Sequence, residues 1–202
     1  LRSLSLSHAG FYGDINVVTK AQKLFSSKAP IRPDVRGVVY TLCSQYGGKD
    51  VHDKLKKMYL KENMHEERNR LSRAMGMTRN KKLILETLKF AFSNGVRSQD
   101  APLLIAASFK NFFVRDVVWN FVKKNWKTIL QRYGEGGHML PRFVRPAGNF
   151  CTQEDYNDVR QFFKSNSTPG AERAVKQTLE EIRANISWLK RGRGELGRKY
   201  QN

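Results

Sequence analysis

The chain repeats itself. A shift of 34 positions lays Arg2 on Arg36, Leu4 on Val38, Ala9 on Cys43 and Tyr12–Gly13 on Tyr46–Gly47. The same shift lays Val17 on Val51, Leu24 on Met58 and Phe25 on Tyr59. Each copy reads as helix, turn, helix. In the first, Leu1, Leu4, Leu6 and Ala9 precede Gly10 and Gly13, and Asp14 can cap a second helix carrying Val17, Val18, Ala21, Leu24 and Phe25. After a linker with Pro30 and Pro33, Asp34 opens a helix ending at Gly47–Gly48, and Asp50 opens its partner. A third copy follows at a slightly shorter period, with Leu71, Ala74 and Met75, a break at Gly76, then Leu83, Leu85, Leu88, Phe90 and Phe92. An amphipathic hairpin of this size cannot bury its apolar face alone, whereas stacked hairpins share a continuous core. The expected fold is therefore all-α: an α-solenoid of stacked antiparallel helix pairs of HEAT/ARM type, with about 11 helices.

The second half is less regular. Its largest apolar segment runs from Asn111 to Tyr133, with Phe113, Val117, Val118, Phe121, Val122, Trp126, Ile129, Leu130 and Tyr133 at steps of three and four. This spacing predicts one helix roughly 34 Å long, stopped by Gly134 and longer than any other in the chain. Asp100 caps the helix before it, with Pro102 in the first turn. Gly134 to Gly137 reads as a mobile loop, and His138 to Val144 as a short helix with Pro141 in its first turn. Thr152 opens a helix with Asp155 in capping-box position, and the last helix carries Ala174, Val175, Thr178, Leu179, Ile182, Ile186 and Leu189. The expected organisation is a single helical repeat domain over 1–190, followed by a basic tail over 191–202 that frays.

Several classes are disfavoured by what is missing. No apolar run approaches a bilayer span, and LRSLSLSHAG lacks the cationic start and apolar core of a secretory signal. The chain does not begin with Met and Leu1 enters a helix midway, as expected of a piece of a longer protein. Cys43 and Cys151 show no metal-ligand spacing and read as free thiols of a reducing compartment. The balance of 37 Lys and Arg against 18 Asp and Glu, a formal charge of +19, favours acidic partners. The basic residues are nevertheless spread over many helices. The Lys54, Lys56, Lys57, Lys61 face and the Arg68, Arg70, Arg73 face lack the exposed aromatics of a single-strand binder, and read as solvated.

No catalytic constellation emerges. His65–Glu66 begins like a zinc-binding H-E-x-x-H, but the fifth position is Asn69. His8, His52 and His138 stand isolated in the sequence. Gly134-Glu135-Gly136-Gly137 follows a helix, so its glycines are turn residues and not a phosphate loop. Glu180–Glu181 lies on a regular helix.

An ordered set of features is more telling: Asp34-Val35-Arg36; Arg97-Ser98-Gln99-Asp100; Trp119, Phe121, Asn125 and Trp126; Phe150-Cys151-Thr152; Phe162–Phe163; and Gln177, Glu180, Ile182, Ile186, Trp188 and Leu189. In this order and spacing the chain resembles, over nearly its whole length, the C-terminal helical domain of zinc aminopeptidases. It looks most like the puromycin-sensitive and fungal alanine/arginine aminopeptidase type, related to aminopeptidase N and the endoplasmic-reticulum aminopeptidases. The resemblance implies a bowl of stacked helix pairs over a catalytic domain, enclosing the C-terminal part of a peptide substrate, with opening and closing of the two domains. It places zinc, the zinc motif and the exopeptidase motif in the upstream catalytic domain of a cytoplasmic parent that removes N-terminal amino acids. It implies no catalytic residue, metal or cofactor in this segment, and inactivity of the segment alone. Its partners would be that catalytic domain and peptides, with no nucleic acid and no membrane span.

An excess of positive charge on a concave solenoid surface would attract a peptide carboxylate through charge-assisted hydrogen bonds. Arg97, Arg142 and Arg145, at helix ends or loops, are the candidates. The bland reading of Arg97 is that it ties a turn to Asp100. The reading from another class is a stand-alone helical-repeat scaffold that binds protein or RNA, and a third is a basic nucleic-acid binder with steeply salt-dependent affinity.

Overall fold

The computed structural model describes residues 1–27, 29–135 and 138–199, with side chains up to residue 194. The expected loop over Gly134–Gly137 lies in part outside the described residues, as does the end of the expected tail, 200–202. All regular structure among the described residues is helical. The α-helices are α1 (Arg2–Phe11), α2 (Ile15–Ser26), α3 (Pro33–Tyr46), α4 (Lys49–Lys61), α5 (His65–Met75), α6 (Lys81–Ala91), α7 (Ala101–Lys110), α8 (Arg115–Lys124), α9 (Trp126–Tyr133), α10 (Pro141–Val144), α11 (Gln153–Ser165) and α12 (Glu172–Lys199), with a 3-10 helix at Arg145–Asn149. The chain divides into two compact units, Leu1–Val118 and Trp119–Asn202.

Local chemistry sets many of the helix starts. The Asp14 carboxylate accepts from the Asn16 and Val17 amides. The Asn80 side chain accepts from Lys82 and Leu83, and the Thr152 hydroxyl accepts from Asp155. Each satisfies donors that the first helical turn cannot pair internally. Pro33 and Pro141 stand at the first helical position, where the missing N–H costs nothing.

In the first unit the odd-numbered helices α1, α3, α5 and α7 pack one against the next. Helices α2 and α4 each lie against the odd helices on both sides, and α6 lies against α7. Burial follows this arrangement. Helix α3 buries Val35, Val38, Val39, Tyr40, Leu42 and Cys43, whereas α4 buries only His52, Leu55 and Tyr59. The thiol of Cys43 is pushed up to about 12 by that burial, with Lys54 opposing; Cys151 is half-buried, and both cysteines are free.

The register of the stack is set at the helix ends. Gly10 ends α1 against Leu42 of α3, and a Cβ on Gly10 would lie 2.4 Å from Leu42 Cδ1. Two copies later along the odd helices, Gly76 at the end of α5 lies against the backbone of α7, where a Cβ would meet Ser108 N at 2.8 Å. The carbonyls left over at these ends are capped by the next odd helix. Gln45 Nε2 and the Tyr46 hydroxyl of α3 donate to Phe11 O and Gly10 O at 3.3 and 2.9 Å. Asn111 Nδ2, just after α7, donates to Gly76 O and Thr78 O at 3.2 and 2.7 Å. Asn111, following α7, thus repeats for α5 the capping that α3 gives α1.

The expected single helix over Asn111–Tyr133 is corrected. Asn111 to Val114 is a turn, because the Asn111 side chain is committed to the end of α5. The remainder is interrupted at Asn125, with φ −103° and ψ 12°. There the Asn125 amide N–H is shared between Phe121 O and Val122 O, and its own side chain donates to Phe121 O at 2.7 Å. The break turns the expected helix into α8 and α9, and the longest helix is α12, with 28 residues. Helical structure in α12 extends through residue 199.

The second unit closes on an aromatic cluster. Trp119 and Trp126 stack edge-on against Phe162 of α11, with ring centroids 5.1 and 5.5 Å apart, and both also meet Phe163. Their indole N–H groups are satisfied by Asp158 Oδ2 and Ser167 O, as a buried tryptophan requires. Leu140, Phe143, Val144 and Ala147 are fully buried around α10 and the 3-10 helix, which pack on α12. Asn185 of α12 caps Gly148 O and Phe150 O at 2.8 and 3.1 Å.

A buried carboxylate ties α3 to α5. Glu67 receives Arg70 Nη1 at 2.6 Å, the Tyr40 hydroxyl at 2.9 Å and Arg36 Nη1 at 3.3 Å. Burial raises the Glu67 pKa, but those donors outweigh it and hold the group below its ordinary value of 4.5. Tyr40, in turn, is pushed up to about 12 by burial and by Glu67.

Two outcomes are expected. Gly76→Ala forces backbone against backbone and should lower the urea-unfolding free energy by about 1–3 kcal/mol, with no loss of helical circular dichroism in the folded state. Because the folded pKa of Glu67 is depressed, its contribution is full above about pH 4.5 and is lost as pH falls through the folded value. Glu67→Gln should therefore cost about 1–3 kcal/mol at neutral pH, and the cost should shrink on acidification when unfolding is measured across that range.

Candidate functional site

The three arginines singled out by the sequence fall in both units. Arg97 lies in the first, in the turn before α7. Its Nε donates to Asp100 Oδ2 at 2.7 Å, and Nη2 lies 2.8 Å from His65 Nδ1, which accepts. The Asp100 amide also returns to Arg97 O at 2.8 Å. Arg97 thus ties the turn that starts α7, while its side chain stays half-exposed. A guanidinium carries five N–H donors, so two engaged donors leave others for a ligand.

Arg142 and Arg145 lie in the second unit, one turn apart and both exposed. Their backbone is held by the buried Phe143, Val144 and Ala147 between and beside them. Arg145 borders an open groove of about 470 Å³ whose other walls are Gln177, Glu180, Glu181 and Ala184 of α12. Two carboxylates face one guanidinium there, so the groove presents both signs of charge. Glu180 and Glu181, read from sequence as an ordinary solvated pair, are the acidic wall of that groove.

His65 opens α5, and its Nδ1 is taken up by Arg97. With Asn69 four residues on, His65 and Glu66 do not fit the ligand set of a zinc peptidase.

The structure also gathers a group that no sequence motif announced. His52 and Asp53 of α4 and Glu86 of α6 bring one ligand atom each within 4.8 Å of one another. Lys49 Nζ bridges the two carboxylates at 2.8 and 2.7 Å. Burial holds His52 below the ordinary imidazole pKa, opposed by Asp53 and Glu86. Its signal in the sequence is faint: two residues on α4 and one on α6, about one repeat apart.

Most residues that carried the family resemblance turn out to hold the fold. Arg36 anchors Glu67, Arg97 ties a turn, Trp119, Trp126, Phe162 and Phe163 build the aromatic cluster, Asn125 breaks a helix, and Thr152 caps one. Among the described residues, no helix is long and apolar enough to cross a membrane.

Comparison with known proteins shows the family. The family model of the ERAP1-like C-terminal domain matches residues 1–184. Aminopeptidase 2, mitochondrial, of Saccharomyces cerevisiae is 26% identical over 193 residues, which cover 93% of this chain and 20% of that protein. Aminopeptidase M1-C of Oryza sativa subsp. japonica is 31% identical over 145 residues, covering 71% of this chain and 16% of the relative. Aminopeptidase N of Homo sapiens is 28% identical over 166 residues, covering 80% and 17%. The chain spans about a fifth or less of the length of these relatives. It belongs to the family of ERAP1-like C-terminal domains.

Proposed function

We propose that this chain is the non-catalytic C-terminal domain of a zinc-dependent aminopeptidase, which caps the active site and encloses the C-terminal part of the peptide substrate. The observation that carries this reading is the match of an aminopeptidase C-terminal domain family to residues 1–184. It is supported by relatives that are aminopeptidases of several times this length. The parent removes N-terminal amino acids from peptides in the cytoplasm. Zinc and bond cleavage belong to its catalytic domain, which is this domain's partner, and this segment alone is inactive. Domain opening admits the peptide and closure commits it.

Within that role Arg97, Arg142 and Arg145 receive the peptide carboxylate. A guanidinium pairs with a carboxylate through two parallel N–H···O bonds, stronger than neutral ones. Arg142 and Arg145 are exposed on a rigidly anchored turn, and Arg97 keeps donors beyond those used by Asp100 and His65.

Two experiments test the proposal. The chain is added to the separately produced upstream part of its parent, and hydrolysis of an aminoacyl reporter is followed with and without chelator. Chelator-sensitive activity that changes on addition is expected; an upstream part with no activity and no zinc motif would point to a stand-alone scaffold. In the full-length parent, Arg142→Ala or Arg145→Ala should raise KM for long peptides about tenfold while leaving a single-residue reporter unchanged. If both, and Arg97→Ala, leave long-peptide KM unchanged, the arginine assignment is wrong.

A further inference from the structure

The cluster on α4 and α6 has the chemistry of a metal site. The Thr87 hydroxyl donates its only proton to Leu83 O at 3.1 Å. With its proton on Leu83 O, it accepts from His52 Nε2–H, 2.9 Å away. That arrangement favours the Nε2–H tautomer, which leaves the lone pair on Nδ1. His52 is 2% exposed, and Nδ1 has no hydrogen-bond partner. Asp53 Oδ1, an acceptor, lies 3.6 Å from it, at the long edge of hydrogen-bond reach. A buried nitrogen lone pair and two carboxylates therefore converge on one point with no proton of their own to share. The position calls for a cation, and Lys49 supplies one from a side chain that remains 55% exposed.

We propose that His52 Nδ1, Asp53 and Glu86 bind a divalent first-row metal ion, zinc by preference, in the place held by the Lys49 ammonium. Zinc takes nitrogen and carboxylate oxygen at about 2.0–2.2 Å in tetrahedral geometry, which sets donor atoms roughly 3.3–3.6 Å apart. The His52–Asp53 separation of 3.6 Å falls at that edge length. Small closing movements of the half-exposed Asp53 and Glu86 side chains bring the third donor in, and water completes the shell. The second shell is already built. A ligating histidine characteristically donates its other N–H to a fixed acceptor, and the Thr87 hydroxyl, 2.9 Å from Nε2, is placed to accept it. An imidazole with only two carboxylates suits zinc or its first-row neighbours better than calcium or magnesium, which take more oxygen ligands and more water. Since the ligands come from α4 and α6, the ion would clamp successive copies of the hairpin. Lys49 would then act as a built-in competitor that keeps the two carboxylates neutralised when metal is scarce. The inference is independent of the aminopeptidase assignment.

The test uses the full chain of 202 residues, stripped with chelator and titrated with zinc chloride. Heat of binding, the imidazole resonances and the unfolding temperature are followed. The expected result is one saturable event that shifts the His52 resonances and raises the unfolding temperature. Glu86→Gln and Asp53→Asn, both at half-exposed carboxylates, should each weaken that event about 10–100-fold, and Lys49→Met should tighten it. Zinc that binds without moving the His52 resonances, as at Cys151 or His8, overturns the proposal. So does binding that both carboxylate variants leave unchanged, or that Lys49→Met weakens. Absence of saturable binding up to millimolar zinc overturns it as well.

Discussion

The first unit depends on backbone carbonyls at helix ends that their own helices cannot satisfy. A helix leaves its last four carbonyls without internal partners, and burying them bare is costly. Here α1 is finished by Gln45 and Tyr46 of α3, and α5 by Asn111 after α7. The end of α3 joins the same chain of contacts, since Arg79 reaches the Tyr46 hydroxyl at 3.2 Å. Each donor is useful only if the next odd helix sits in one register, with Gly10 or Gly76 close beneath it. Hydrophobic burial drives the helices together but is indifferent to small slips. The polar caps and the close approaches choose among the slips.

The same demand accounts for part of the basic excess. Lys54 Nζ donates to Phe25 O at the end of α2, Arg115 Nε to Phe109 O near the end of α7, and Arg68 Nε to Glu62 O just beyond α4. These are helix C-termini, where partial negative charge accumulates and a cation is favoured. Lys54 lies over the ring of Phe25, Lys56 over Phe90, and Arg79 between Tyr46 and Phe113. Several members of the basic faces are therefore packing and capping groups inside one unit. A formal charge of +19 overstates the cationic surface offered to a polyanion.

The hairpin period, the all-helical class and the caps at Asp14 and Thr152 were legible because each is a local signal that tertiary packing did not override. Asn125 was not. The apolar positions run through Phe121, Val122, Trp126 and Ile129 without a change of phase, so periodicity carries no trace of an interruption one residue wide. The turn at 111–114 was hidden because Asn111 resembles an N-terminal helix residue and in fact caps the end of α5. At the candidate sites, the Arg97–Asp100 pairing follows from an i, i+3 spacing that sequence can display. The meeting of His52 with Glu86 depends on the inter-helix register, which no local pattern encodes. The motifs that carried the family resemblance are mostly folding residues, so they report kinship far better than they report a site.

The central claim is that the odd helices, capped by one another, form the cooperative spine of the first unit. Amide hydrogen exchange on the unmodified chain, resolved by peptide mass spectrometry, addresses it directly, because exchange reads local opening free energies along the chain. The account predicts that α3, α5 and α7 share the slowest exchange, with α2 and α4 opening earlier. Equal protection of α2 and α4 with α3 and α5, or exchange hairpin by hairpin with each pair opening as a unit, would contradict it.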